Sequence, residues 1–201
     1  MSHEPEKKHP SLTRDHILQA ASELVMSEGG SALTLDAVAK SAGISKGGLL
    51  YHFPSKEALI LGMIDARHQW LKKLITEEKS QLADPGAPGA WHRALVLVGF
   101  KTFIACNDLT AGMLAAVAQD QSLVERIQLG LSELTLICQQ DGIPRAVSTL
   151  ILSTLDGIKM HRVIGLPLPS SEEIDELRDL LLHLIDQATF VTSTSNPRKP
   201  A

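Results

Sequence analysis

Apolar positions recur at three- and four-residue intervals along most of the chain, and no stretch alternates apolar with polar residues for long enough to form a half-buried strand. The pattern predicts an all-α protein. Between Ser11 and Glu28, residues Ile17, Ala20, Ala21, Leu24 and Val25 fall on one helical face, which Gly29 and Gly30 close. Thr34 is placed to cap a short second helix carrying Leu35, Val38 and Ala39, and Gly43 can take the left-handed turn that ends it. Ser45 then caps a third short helix, through about Tyr51. Pro54 breaks that helix, and Ser55 caps a much longer one with Leu59, Met63, Ile64, Trp70, Leu71, Leu74 and Ile75 on its apolar stripe. The loop signal "ADPGAPG", residues 83–89, marks where the long helix should end.

Beyond that loop the periodicity predicts helices near 90–106, 110–119, 122–140, 144–165 and 171–192, followed by a polar tail, 195–201, expected to be disordered. Pro144 suits a first helical position, and Glu172, Glu173, Asp175 and Glu176 favour a helix amino terminus. The segment 144–165 is apolar on more than one side, with Ser148, Ser153 and Gly157 small enough for a close crossing. Such a helix has to be covered on both sides. The amphipathic segment 171–192 can cover one, and a second copy of the same pair can cover the other, which predicts a homodimer. No internal repeat suggests a solenoid.

With 201 residues the chain can bury a sizeable core without staples. The amino terminus, "MSHEPEKKHP", is charged, and no apolar run approaches the roughly 18 residues of a spanning helix, so a soluble cytoplasmic protein without membrane contact is expected. Cys106 and Cys138 sit in apolar helical patterns without a C-x-x-C partner, which suits buried thiols better than a redox sensor. The net charge of −4 is unevenly spread: the first 80 residues hold ten Lys/Arg and ten Asp/Glu, and the remaining nine basic and thirteen acidic residues carry the deficit. Four Phe, two Trp and one Tyr are too few for a platform that stacks successive single-stranded bases. If nucleic acid is bound, duplex fits better.

The stretch "GISKGGLLYHFPSKEAL", 43–59, places Gly47 and Gly48 where a helix begins, although glycine in a helix costs roughly 1 kcal/mol relative to alanine. A phosphate-cradling loop would need G-x-x-x-x-G-K-[ST] after a strand, and neither is present. Gly43, Ser45 and Gly47 spell G-x-S-x-G, but a nucleophile elbow needs a strand-to-helix turn, and "TLDAVAKSA" is no strand. A helix-turn-helix over 34–53 accounts for more residues at once. Ala39 lets the second helix cross closely, and Ile44 and Leu49 fill the joint. Lys46, Tyr51, His52 and Lys56 then offer cations and hydrogen-bond donors to phosphates and base edges. The plainer alternative makes them solvated side chains of a helical bundle.

The segment from about Ser11 to Ile60 resembles the amino-terminal domain of the tetracycline-repressor (TetR) family, whose common form reads roughly T-x-x-x-I-A-x-x-A-G-V-S-K-G-x-L-Y-x-H-F-x-S-K-E-x-L. Here it stands as "TLDAVAKSAGISKGGLLYHFPSKEAL". The resemblance implies operator contacts for Thr34, Lys46, Gly47, Tyr51, His52 and Lys56, with Ser45, Gly48 and Leu50 completing the DNA-binding set. Leu50 stands where the family usually has a tyrosine. Either Tyr51 substitutes for it, or Leu50 meets a thymine methyl.

The resemblance further implies a DNA-binding domain over 11–71 and a helical ligand-binding and dimerisation domain over 72–194, dimerised through 144–165 and 171–192. A small-molecule effector would shift the spacing of two heads on palindromic double-stranded operator DNA. Candidate pocket residues are Trp70, Trp91, Phe100, Phe103, Met113, Met160 and His161. No catalytic residue, cofactor or metal is expected, since His92, His161 and His183 lack local ligand spacing. The resulting expectation is a repressor-type transcriptional regulator and not an enzyme, with a small-molecule-binding helical protein lacking DNA function as the alternative.

Overall fold

A computed structural model of the chain describes residues 10–105, 125, 134–163 and 165–194. The elements among them are helical: α1 (Pro10–Glu28), a 3-10 turn (Gly30–Ala32), α2 (Leu35–Ser41), α3 (Lys46–His52), α4 (Lys56–Ser80), α5 (Ala90–Ala105), α6 (Arg145–Val163) and α7 (Ser171–Thr194), with helical turns also over 134–140. The helices expected over 110–119 and over most of 122–140, Cys106 and the tail 195–201 lie outside the described residues. No helix among those described is long and apolar enough to cross a membrane.

Residues up to His68 form one compact unit, and residues 69–105 with those from 134 onward form another. The first is closed by capping at each joint. Thr34 Oγ1 accepts from Ala37 N at 3.1 Å, Ser45 Oγ from Gly48 N at 3.1 Å, and Ser55 Oγ from Ala58 N at 3.1 Å. Each such cap stabilises its helix by about 1 kcal/mol. Helix α2 ends in a turn where Gly43 has φ 64°, Gly43 N donates to Lys40 O at 3.2 Å and Ile44 N to Ala39 O at 3.0 Å. Those two bonds satisfy carbonyls that the helix end would otherwise leave open.

Ile17, Ala21, Leu33, Val38, Ala39, Leu49, Phe53, Leu59 and Met63 share one apolar core. Burying a side chain such as Leu49, which is fully enclosed, contributes roughly 1.5–3 kcal/mol. Phe53 leaves α3 and lies against Gly62 of α4, where a methyl group would stand 2.6 Å from the ring edge. Arg14 lies over the ring, its guanidinium carbon 5.1 Å from the centroid.

The second unit has two apolar clusters. One joins Leu71, Leu74 and Ile75 to Trp91, Ala94, Val98 and Cys138; the other joins Val96 and Phe100 of α5 to Ile151 and Leu155 of α6 and Leu181 and Ile185 of α7. Between them runs a polar seam. Asp141 caps α5 from a distance, its two carboxylate oxygens accepting from Trp91 N at 3.0 Å and His92 N at 2.9 Å. The His92 ring is fully buried, with Nδ1 2.7 Å from Asp141 Oδ2 and Nε2 2.7 Å from Ser148 Oγ. At the start of α7, Ser170 and Glu173 bond each other's backbone N–H, at 2.7 and 3.2 Å, a reciprocal capping box.

Candidate nucleic-acid interface

The turn at Gly43 fixes α3 against α2 by burying Val38, Ala39 and Leu49 at the joint, so the rest of α3 is left to solvent. Lys46, Gly47 and Tyr51 are exposed, with Tyr51, at 81%, the most exposed large hydrophobic residue described on the unit. Leu50 and His52 are half-buried, and Tyr51 meets the His52 ring edge-on at 5.1 Å between centroids. Of the two residues at the point of departure from the family pattern, Tyr51 is therefore the one that protrudes.

Lys46 Nζ sits 2.9 Å from Asp36 Oδ2, an ion pair between the first turns of α3 and α2 that sequence reading missed. Both side chains are more than half exposed, so the pair is worth only roughly 0.2–1 kcal/mol and a phosphate can compete for the lysine. Thr34 is exposed at the start of α2, its hydroxyl already engaged as the cap. Lys56, half-buried, opens α4 one residue after the Ser55 cap.

Gly47 and Gly48 lie in the first turn of α3, Gly48 N taken by the Ser45 hydroxyl. Neither has a positive φ. A methyl on Gly47 would have no neighbour within 4 Å, whereas one on Gly48 would stand 3.3 Å from Ser45 Oγ. The fold therefore does not demand glycine at position 47. The nine residues singled out for DNA contact, Thr34, Ser45, Lys46, Gly47, Gly48, Leu50, Tyr51, His52 and Lys56, all fall within this one unit.

The residues singled out for a ligand are spread more widely. Trp91 and Phe100 are buried in different apolar clusters, Trp70 is 39% and Met160 44% exposed, and His161 Nδ1 donates to Pro167 O at 2.9 Å on the surface. Met113 and the Phe103 side chain lie outside the described residues. Two surface pockets of the second unit, one of about 230 Å³ beside Cys138 and Ser148 and one of about 360 Å³ between Leu74 and Lys101, are lined by none of the other five among the described residues. Burial and charge on Asp141 push the Cys138 thiol up to about 11, which keeps it protonated at neutral pH.

A family model described as "Bacterial regulatory proteins, tetR family" matches residues 17–63, and one described as "Tetracyclin repressor-like, C-terminal domain" matches residues 89–186. The nucleoid occlusion factor SlmA of Vibrio cholerae is 38% identical over 74 residues, 34% of this chain and 38% of its own. The HTH-type transcriptional regulator TtgR of Pseudomonas putida is 28% identical over 98 residues, 49% of this chain and 46% of its own. The matched segments thus span less than half the length of these curated relatives.

Among solved structures, the multidrug binding protein EbrR complexed with imidazole has a TM-score of 0.66 at 20% identity, covering 91% of this chain and 94% of its own. The fatty acid degradation regulator FadR from Bacillus halodurans has a TM-score of 0.63 at 21% identity, covering 88% and 97%. These likenesses extend the shared fold well beyond the helix-turn-helix. With both family models matched in order along it, the chain belongs to the tetR family of bacterial regulatory proteins.

Proposed function

We propose that this protein is a homodimeric, sequence-specific DNA-binding transcriptional regulator that acts in the cytoplasm by binding and not by catalysis. It represses from a nearly palindromic operator and is released by a small-molecule effector. The observation that carries this reading is the outer surface of α3: Lys46, Gly47 and Tyr51 exposed on a helix whose opposite side is locked into a closed core. Lys46 and Lys56 would meet phosphates or a guanine edge, Tyr51 the backbone, and Gly47 would let the first turn lie flush in the groove.

Dimerisation through α6 and α7 is supported by the side these helices leave uncovered. Leu150 is 48%, Met160 44% and Leu180 54% exposed, and Gly157 lies between the first two with no atom within 4 Å of where its Cβ would be. Ile151 and Leu155 meanwhile pack inward against Leu181 and Ile185. Apolar side chains at a small-residue crossing are what a second copy of the same helix pair would cover. An effector is supported by the family membership and by EbrR, whose structures hold imidazole, ethidium and malachite green.

Retardation of a DNA fragment from upstream of the protein's own gene tests the reading. A complex that survives moderate salt and excess scrambled duplex is expected. Equal affinity for both duplexes would refute sequence-specific regulation at that promoter.

A further inference from the structure

The polar seam of the second unit contains a serine, a histidine and an aspartate in series, joined by hydrogen bonds. Asp141 can only accept. Its Oδ1 takes Trp91 N, and its Oδ2 takes His92 N and lies 2.7 Å from His92 Nδ1, so Nδ1 carries the ring proton. In the neutral ring Nε2 then keeps a lone pair, 2.7 Å from Ser148 Oγ, to which the serine hydroxyl can donate. Nucleophile, base and orienting carboxylate are thus each within hydrogen-bond reach of the next.

The imidazole is fully buried, whereas Ser148, nine-tenths buried, still lines the pocket of about 230 Å³ that it shares with Cys138, Gln139 and Arg145. We infer that Ser148 is a base-activated nucleophile that takes an acyl group from small activated esters or thioesters entering this pocket. The Ser148 Oγ–carbonyl carbon bond forms as the Oγ proton passes to His92 Nε2. The imidazolium is steadied by the Asp141 carboxylate, and collapse of the tetrahedral adduct expels the alkoxide or thiolate, which leaves with that proton. One acyl group per chain is the product, and no further reactant is needed. The neighbouring Cys138 does not compete, since its thiol stays protonated at neutral pH. The site belongs wholly to the second unit and stands or falls without the proposed DNA contacts of the first.

The test is acetylation of the full-length protein by p-nitrophenyl acetate at neutral pH, followed by nitrophenolate release and peptide mass mapping. The expected result is a burst of about one equivalent per chain with the acetyl group on Ser148. Ser148→Ala should abolish it, Cys138→Ala should retain it, and His92→Asn should slow it by about a hundredfold or more. Failure of folded wild-type protein to acetylate Ser148, or acetylation there no faster than at its exposed surface serines, would overturn the inference and leave the seam a purely structural clip. Because wild-type labelling decides the matter, instability of the His92 variant cannot mask the answer. Operator binding measured on the same samples keeps this outcome separate from the DNA reading.

Discussion

In the first unit, Leu33, Val38, Leu49 and Phe53 close into one apolar core, while the second unit leaves Leu150, Met160 and Leu180 half exposed and buries a histidine and a serine. The first arrangement holds a short helix rigidly by its back so that its front can be polar and exact in position. The second is unfinished on one side and polar within, which suits a body that completes itself against another copy and accommodates chemistry inside. The contrast predicts that the fold of the first unit survives changes on its surface but not in its joints, and that the second is completed by the proposed interface.

The largest effect should come from breaking that interface. Gly157→Arg places a long cation where the single chain has open space, so helical content should persist while sedimentation falls from about twice the 21.7 kDa chain mass to once. Operator affinity should collapse with it. A variant that remains dimeric would move the interface elsewhere.

Two alanine substitutions sharpen the contrast between a joint and a surface. Gly62→Ala drives a methyl into the Phe53 ring and should destabilise the first unit by about 1–3 kcal/mol in thermal or urea unfolding. Gly47→Ala meets nothing within 4 Å and should stabilise the protein by up to about 1 kcal/mol while weakening operator binding. If Gly47→Ala is more stable and binds undiminished, close approach of α3 to DNA is wrong.

The lysines should separate by kind. Lys46→Ala should lose about 1–3 kcal/mol of discrimination between operator and scrambled duplex, and Lys56→Ala should weaken both alike and flatten the salt slope by about one unit. Equal losses on both duplexes for Lys46→Ala would demote it to a backbone contact.

The smallest effect is one of pH. With its folded value raised from 9.0 to about 11, the Cys138 thiol contributes stability that is complete below about pH 9 and lost as pH rises through about 11. Wild type should therefore lose more stability than Cys138→Ala between those limits, as read from unfolding midpoints at a series of pH values.

Much of the first unit was legible in the sequence because its determinants are local. A cap reaches an N–H three residues on, Gly43 needs only its own φ, and the apolar face of α1 repeats within the helix. What escaped was contact between distant positions. Asp36 lies ten residues before Lys46, and nothing in a helical pattern says that their side chains meet. His92 invited only a metal reading, because Asp141 and Ser148, 49 and 56 residues away, become its neighbours only after α5 and α6 pack together. The candidate ligand residues illustrate the same limit: Trp91 and Phe100 share a helix, yet belong to different clusters.

Hydroxyl-radical footprinting of the wild-type protein on DNA upstream of its own gene tests most directly whether α3 is the reading surface of a dimer. Two protected patches related by inverted symmetry are expected, their centres about one DNA turn, roughly 34–36 Å, or a multiple apart, with both weakened together in Tyr51→Ala. A single patch without symmetry, or a footprint that Tyr51→Ala and Lys46→Ala leave unchanged, would contradict the account.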